Sequence, residues 1–344
     1  MRKGPWCWYL ALSLTFLILL FYRVPETLAQ TPFPEWARGF GPLPIRNQSP
    51  IELLFFQFTP EGAKPLEKGK ILLRLGLAET NTLVSGRSSH FSGTMDMEMS
   101  YLALNLQYGL MKGAQVGIEL PFIYTHSGIM DSFIAEVEDF FGKQRGIRTR
   151  EDRFEFDYSV IRNGEVFISG RRGGAGIGDL ALTFKREILK EDSSFPALSV
   201  RLGGKAPTGD VGSAFGSGKP DFGLGLALEK HFGEWAFYTN TNLTLPVGRF
   251  HGKTVEPIFS GLISAEYNWT SRFSLVAQFS GITPPFHGTG ISFLGRRVFD
   301  LTGGFSLLID KDILLQGGMI EDIISSTEAG SDVTFFLIIN KIWD

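Results

Sequence analysis

Between Asp221 and Leu245 the chain alternates strictly. Phe222, Leu224, Leu226 and Leu228 are apolar, and Gly223, Gly225, Ala227 and Glu229 between them are small or charged. After His231–Glu234, Trp235, Phe237, Thr239, Thr241, Leu243 and Leu245 share one face, opposite Ala236, Tyr238, Asn240 and Asn242. A period of two means extended strands, and two strands joined by a tight turn mean a hairpin. The pattern recurs along the chain. Ile71, Leu73, Leu75 and Leu77 oppose Arg74 and Gly76, and Leu102, Leu104, Leu106 and Tyr108 oppose Ala103, Asn105 and Gln107. Val116, Ile118, Leu120 and Phe122 oppose Gln115, Gly117 and Glu119. Further repeats near 180–185, 198–203, 263–268, 273–279, 301–309, 313–319 and 333–343 bring the expected number of strands to about twelve.

The polarity of the two faces predicts the fold class. A soluble sandwich hides its apolar face, whereas a membrane barrel turns that face to lipid and fills its interior with small and polar groups. Loop lengths alternate in the same sense. Short connections are expected at 112–113, 188–194, 231–234, 268–272 and 310–312, and long ones at 84–93, 125–176, 205–220, 246–256, 281–297 and 322–332. Short turns at one end and long loops at the other are the habit of outer-membrane barrels. Aromatics fall at both strand ends: Tyr108, Trp235, Tyr267, Trp269, Phe273 and Trp343 beside short turns, Phe122, Tyr124, Phe222 and Phe299 near long loops. The expectation is an all-β transmembrane antiparallel barrel of about twelve strands. Its longest loop would carry a helix capped by Asp131 and a hairpin around Arg162-Asn163-Gly164.

Composition narrows the reading. A net charge of -3 gives no nucleic-acid footprint. Past residue 29 no apolar run is long enough for a spanning helix. Arg2 and Lys3, the apolar stretch Trp6–Tyr22 and the small-residue site Thr27-Leu28-Ala29 read as a secretory signal over 1–29, with an uncleaved anchor as the alternative. The single cysteine, Cys7, lies in that stretch, so the remaining chain offers neither a disulfide nor a cysteine metal site. Residues 30–67 are rich in Pro, Gly and aromatics and predict an extended segment at the periplasmic mouth or plugging the lumen, with the barrel over 68–344.

No catalytic motif emerges. Gly176-Ile177-Gly178-Asp179 lacks the strand before and helix after that a dinucleotide site needs, and Gly212–Lys219 is followed by Pro220 where a phosphate loop needs Ser or Thr. His90, His126, His251 and His287 fall in expected outer loops without ligand spacing, and solvated loop histidines are the simpler reading. No cofactor is expected. By parity the lumen-facing set is Arg74, Asn105, Gln107, Glu119, Lys185, Arg201, Glu229, Asn240, Asn242, Glu266, Gln278 and Gln316. Such groups either filter ions in a pore or pair to fill a closed interior. The leading functional expectation is a passive channel or uptake barrel for small solutes in a bacterial outer membrane. The alternatives are a non-conducting structural or adhesive barrel and a lipid hydrolase. The last requires a nucleophile and a histidine within hydrogen-bond reach at the barrel wall. Expected partners are outer-membrane lipids, small solutes and the barrel-assembly machinery, with no nucleic acid.

Phe40–Pro50 (FGPLPIRNQSP), together with Gly176-Ile177-Gly178-Asp179-Leu180, Pro207-Thr208-Gly209-Asp210 and Gly216-Ser217-Gly218, resembles a bacterial family catalogued as domain of unknown function 3187. The likeness covers nearly the whole chain after the leader. It implies an envelope barrel and carries over no activity and no catalytic residue.

Overall fold

The computed structural model describes residues 39–128, 156–323 and 331–344. The leader over 1–29 and the helix expected after Asp131 lie outside the described residues. Within them the strands are β1 (Ile71–Arg87), β2 (Phe91–Met111), β3 (Ala114–His126), β4 (Asp157–Arg162), β5 (Glu165–Ser169) and β6 (Ala175–Ile177). Next come β7 (Leu180–Leu189), β8 (Ala197–Ala206), β9 (Asp221–Phe232), β10 (Trp235–Pro246), β11 (Arg249–Phe250) and β12 (Lys253–Thr254). The last are β13 (Ile258–Asn268), β14 (Phe273–Ile282), β15 (Val298–Asp310), β16 (Ile313–Asp322) and β17 (Val333–Trp343).

Twelve of these, β1–β3, β7–β10 and β13–β17, form a closed antiparallel barrel. Each pairs with its neighbour in sequence, and β1 closes the ring on β17 in the register Ile71↔Trp343 through Asn81↔Val333. Closure leaves no edge strand, which a backbone in lipid requires. One staircase is broken: β3 pairs with β7 through its lower half and with β6 through its upper half, and Gly178-Asp179 interrupts the second strand between them.

Alternation sets the two faces. Leu224 and Leu337 are 50% and 47% exposed on the exterior, while Arg201 and Glu266 are 2% and 0% exposed inside. The connections at 112–113, 190–196, 233–234, 269–272 and 311–312 gather at one end. The long loops gather at the other.

The first long-end connection differs from the expectation. Instead of a loop over 84–93, β1 and β2 stay paired up to Arg87↔Ser92 and turn over three residues. The physical reason is a change of polarity with height. Above the lipid band the inward positions Val84, Met95, Met97 and Met99 are apolar and buried, because they pack under the loops rather than around ions. The outward positions Ser85, Arg87, Ser92 and Thr94 are polar. The wall has inverted its code, so the segment no longer looks like a membrane strand. The expected hairpin around Asn163-Gly164 is present as β4–β5, and β4 adds to β2 in the register Phe91↔Arg162 to Asp96↔Asp157.

An aromatic knot closes the long-loop end. Phe167 of β5 meets Phe91 at 5.5 Å, Phe250 at 5.4 Å and Phe286 at 5.3 Å between ring centroids. Phe55 joins from below, 5.8 Å from Phe286. All five rings are buried. Edge-to-face pairs of this kind add about 0.5–1.5 kcal/mol each beyond their burial.

The inversion has a measurable consequence. Leu226→Arg, on the lipid face of β9, should lower unfolding free energy in vesicles by about 2–4 kcal/mol. Ser85→Arg, outward but above the band, should change it by less than about 0.5 kcal/mol. Urea titration of both variants in the same lipid checks the contrast.

Candidate functional site: the occupied lumen

A barrel of twelve strands is too wide for its own side chains to fill. Here residues 39–67 run through it. This segment is proline-rich and makes no strand, so its backbone needs partners that a ladder cannot give. The wall side chains supply them. Phe40 N–H donates to Glu266 Oε1 at 3.1 Å and Leu43 N–H to Gln278 Oε1 at 2.6 Å as the chain ascends past β13 and β14. A single 3-10 turn, Glu52–Leu54, reverses it under the aromatic knot. On the way down Phe56 N–H donates to Asp221 Oδ2 at 2.8 Å, Glu61 N–H to Asn240 Oδ1 at 3.0 Å and Ala63 N–H to Glu229 Oε2 at 2.8 Å. Leu66 N–H then meets Gln115 Oε1 at 2.8 Å.

Charge is paired at mid-height. Arg46 of the segment lies 2.8 Å from Glu119 Oε1 and donates to the Gln57 carbonyl at 3.1 Å and the Tyr101 hydroxyl at 2.5 Å. Glu61 accepts from Lys185 at 2.8 Å, Gln107 at 3.2 Å and Gln115 at 3.1 Å. Arg201 donates to the Thr59 carbonyl at 3.0 Å and to Asn242 at 2.6 Å, and its guanidinium lies 4.7 Å from the Phe58 ring centroid. Every ion here has an opposite charge or a carbonyl within reach, which a desolvated charge requires. Lys185 Nζ, 2.8 Å from Glu61 Oε2, offsets the cost of burying that carboxylate.

The twelve parity-assigned residues therefore share one interior, in three groups. Glu119, Lys185, Arg201, Asn105, Gln107 and Asn242 surround the Arg46/Glu61 level. Glu229, Asn240, Glu266 and Gln278 receive the segment's backbone. Arg74 and Gln316 join through Asn340, at 2.8 and 3.0 Å, on the β1–β17–β16 side.

Several residues that organise this site do not stand out in the sequence. Lys205 is buried and binds Asp179, Ser217 Oγ at 2.8 Å and the Leu54 carbonyl at 2.6 Å. It joins the Gly-Asp motif at 178–179, the glycine motif at 216–218 and the tip of the inner segment. Asp179 also accepts Gly209 N–H at 2.8 Å, and Asp210 caps its own turn through Gly212 N–H at 3.1 Å. Three of the four stretches that carry the family likeness thus meet around Lys205 and Asp179. Their signal was visible, but their mutual contact depends on the fold.

At the short-turn end the lumen opens into a vestibule of about 1050 Å³ bordered by Arg74, Lys185, Glu191, Lys230 and His231. Higher up, two cavities beside Arg46 hold only about 30 and 20 Å³. That is room for one or two waters each. At the vestibule wall Glu191, Glu229 and His231 bring ligand atoms within 4.8 Å of one another. Lys64 Nζ lies 3.4 Å from Glu191 and 3.3 Å from Glu229, so an ammonium already takes the place a metal ion would need. Of the histidines expected in outer loops, His90 and His251 lie in turns, whereas His126 ends β3 in the wall itself.

Residues 19–343 match the family described as "Protein of unknown function (DUF3187)". No curated protein matches the chain. Among solved structures, the COG4313 outer membrane channel from Pseudomonas putida F1 superposes with a TM-score of 0.55 at 13% identity, over 83% of this chain and 100% of that one. The NanC porin gives 0.45 at 8% identity, over 79% and 98%. The toluene transporter TbuX of Ralstonia pickettii gives 0.42 at 11%, over 81% and 90%. The first likeness is one of fold.

The segment's tip carries a titratable group. Glu52 is buried under the loops, and burial, with the Asp300 carboxylate adding to it, pushes its carboxyl up to about 8. A carboxyl raised in the folded state stabilises below its ordinary range and loses that contribution as pH climbs through the folded value. Proteolytic cleavage within 39–67 should therefore rise from about pH 5 to about pH 8 and level off above it. Glu52→Gln, which stays neutral, should flatten that rise.

Proposed function

The chain belongs to the DUF3187 family, and from that footing we propose that it is an outer-membrane transport barrel for small solutes, held shut by its own N-terminal segment. The observation that carries the reading is the way residues 39–67 are held. Their ties are individual hydrogen bonds and ion pairs to wall side chains, not ladder pairs within the sheet. A segment fixed in this way can leave without unpairing any barrel strand. The wide vestibule at the short-turn end supports the same reading, as a chamber where a solute would wait or depart. Short turns face the periplasm in barrels of this kind. The leader over 1–29, exterior lipids as partners and insertion by the barrel-assembly machinery belong to the same proposal.

The aromatic knot favours one competing reading, a barrel that never conducts and serves the envelope as a wall. Planar-bilayer recording separates the two. The full chain should be nearly silent. The double variant Arg46→Ala/Glu61→Ala, which removes the segment's two mid-height ions, should raise open probability at least tenfold at unchanged strand content. If that variant stays sealed, the barrel is structural and the transport reading is wrong.

A further inference from the structure

The outer wall of β1–β3 carries a cluster that the lumen does not use. The row Leu77–Leu102–Phe122 is lipid-facing. Two residues higher the same face presents Glu79, Ser100 and Tyr124, and two higher still Asn81, Glu98 and His126. Parity turns all six away from the lumen, with Asn81 and Glu98 buried there. Ser100 O–H donates to Glu79 Oε2 at 2.6 Å, and Ser100 Oγ lies 3.3 Å from His126 Nε2. His126 Nε2 lies 2.8 Å from Glu79 Oε1, and Glu98 Oε2 stands 4.0 Å from Nδ1. Tyr124 stacks on the imidazole at 5.3 Å. Glu79 and His126 side chains are 20% and 13% exposed, so the cluster reaches the surroundings, while Glu98 is buried behind it.

A structural role is the simplest competitor: polar side chains lacing three strands at the rim. It explains Asn81 and Glu98. It does not call for a serine hydroxyl set between a carboxylate that accepts its proton and an imidazole 3.3 Å away, a nucleophile with a base in hydrogen-bond reach and a third group beside that base, which is the arrangement that activates a serine. The height matters as well. The cluster lies at the aromatic level, beside Phe122 and Tyr124, where rings meet headgroups. Acyl esters of membrane lipids lie at that same boundary.

We propose that Ser100, Glu79 and His126 form an esterase site on the outer wall, acting on acyl esters of membrane lipids. Ser100 Oγ attacks the ester carbonyl and its proton passes to Glu79, the acceptor it already faces. The carbon–oxygen bond to the alcohol breaks, and that proton goes to the departing alkoxide. Water then attacks the acyl-serine, its proton returns through Glu79 to Ser100 Oγ, and a fatty acid leaves. His126 is a positioning residue: its imidazole, 2.8 Å from Glu79 Oε1, keeps the carboxylate beside Ser100. The site stands outside the lumen, so it works whether or not the inner segment moves.

The test uses the full chain, folded in mixed micelles with phosphatidylethanolamine or, in a second arm, with acylated glucosamine lipid. Fatty-acid release is measured beside labelling by a fluorophosphonate, with heat-shifted gel mobility reporting folding. Release from either lipid and an adduct on the Ser100 peptide are expected. Ser100→Ala and Glu79→Gln should cut release by at least about 100-fold in folded barrels. His126→Asn should slow labelling and shift its pH profile, which a merely structural residue would not do. No release and no adduct in the folded wild type overturns the proposal. So does activity that survives Ser100→Ala, or a divalent ion bound at the cluster with Ser100 unlabelled.

Discussion

An irregular chain can live inside a barrel only if something else satisfies its backbone. Here the wall's own side chains do so, one acceptor at a time: Glu266, Gln278, Asp221, Asn240, Glu229 and Gln115 each receive a main-chain N–H of the inner segment. An unpaired buried N–H costs roughly 1–3 kcal/mol, so six such losses would exceed the stability of many domains. Five of the acceptors lie on the contiguous arc β9–β10–β13–β14 and the sixth on β3, so the segment's path is fixed mainly along one side of the ring. Prolines 42, 44, 50, 60 and 65 ask for no donor partner and fit a chain read by side chains alone.

From this constraint the layering follows. The middle of the lumen must be polar, because the segment offers amides there. The ions it also carries, Arg46 and Glu61, bring their own counter-ions from Glu119 and Lys185. The top is largely apolar, because the segment turns there with Phe55 and Leu54 and the loops fold over it, with Glu52 and Asp300 buried among them. The bottom can stay wet, and it holds the vestibule. Polarity thus changes along the barrel axis inside, and in the opposite sense outside, where leucines give way to Glu79, Asn81 and Glu98 above the lipid band.

Strand count, ring closure and the direction of each face were legible because lipid enforces alternation residue by residue. The Asp221–Leu245 hairpin carries that code without interruption, and its register follows it: Leu226 opposes Thr241 and Asn240 opposes Ala227. The tall β1–β2 hairpin was not legible, because beyond the bilayer the rule reverses and Met95, Met97 and Met99 resemble a buried core rather than a lumen. Lys205, Arg46 and Asp300 escaped notice for another reason. Their meaning lies in partners more than a hundred residues distant or on a segment with no period, such as Asn47 beside Asp300 at 2.9 Å. His126 passed for a loop residue because the alternation leading to it ends in polar groups.

The account stands on the backbone contacts between the segment and the wall. Hydrogen exchange of the folded barrel, resolved to single amides, reads them directly. Leu43, Phe56, Glu61 and Ala63 N–H should exchange as slowly as ladder amides of β9 and β10. Exchange of those four at the rate of an open loop, with the strands still protected, would mean that the lumen is not filled in this way.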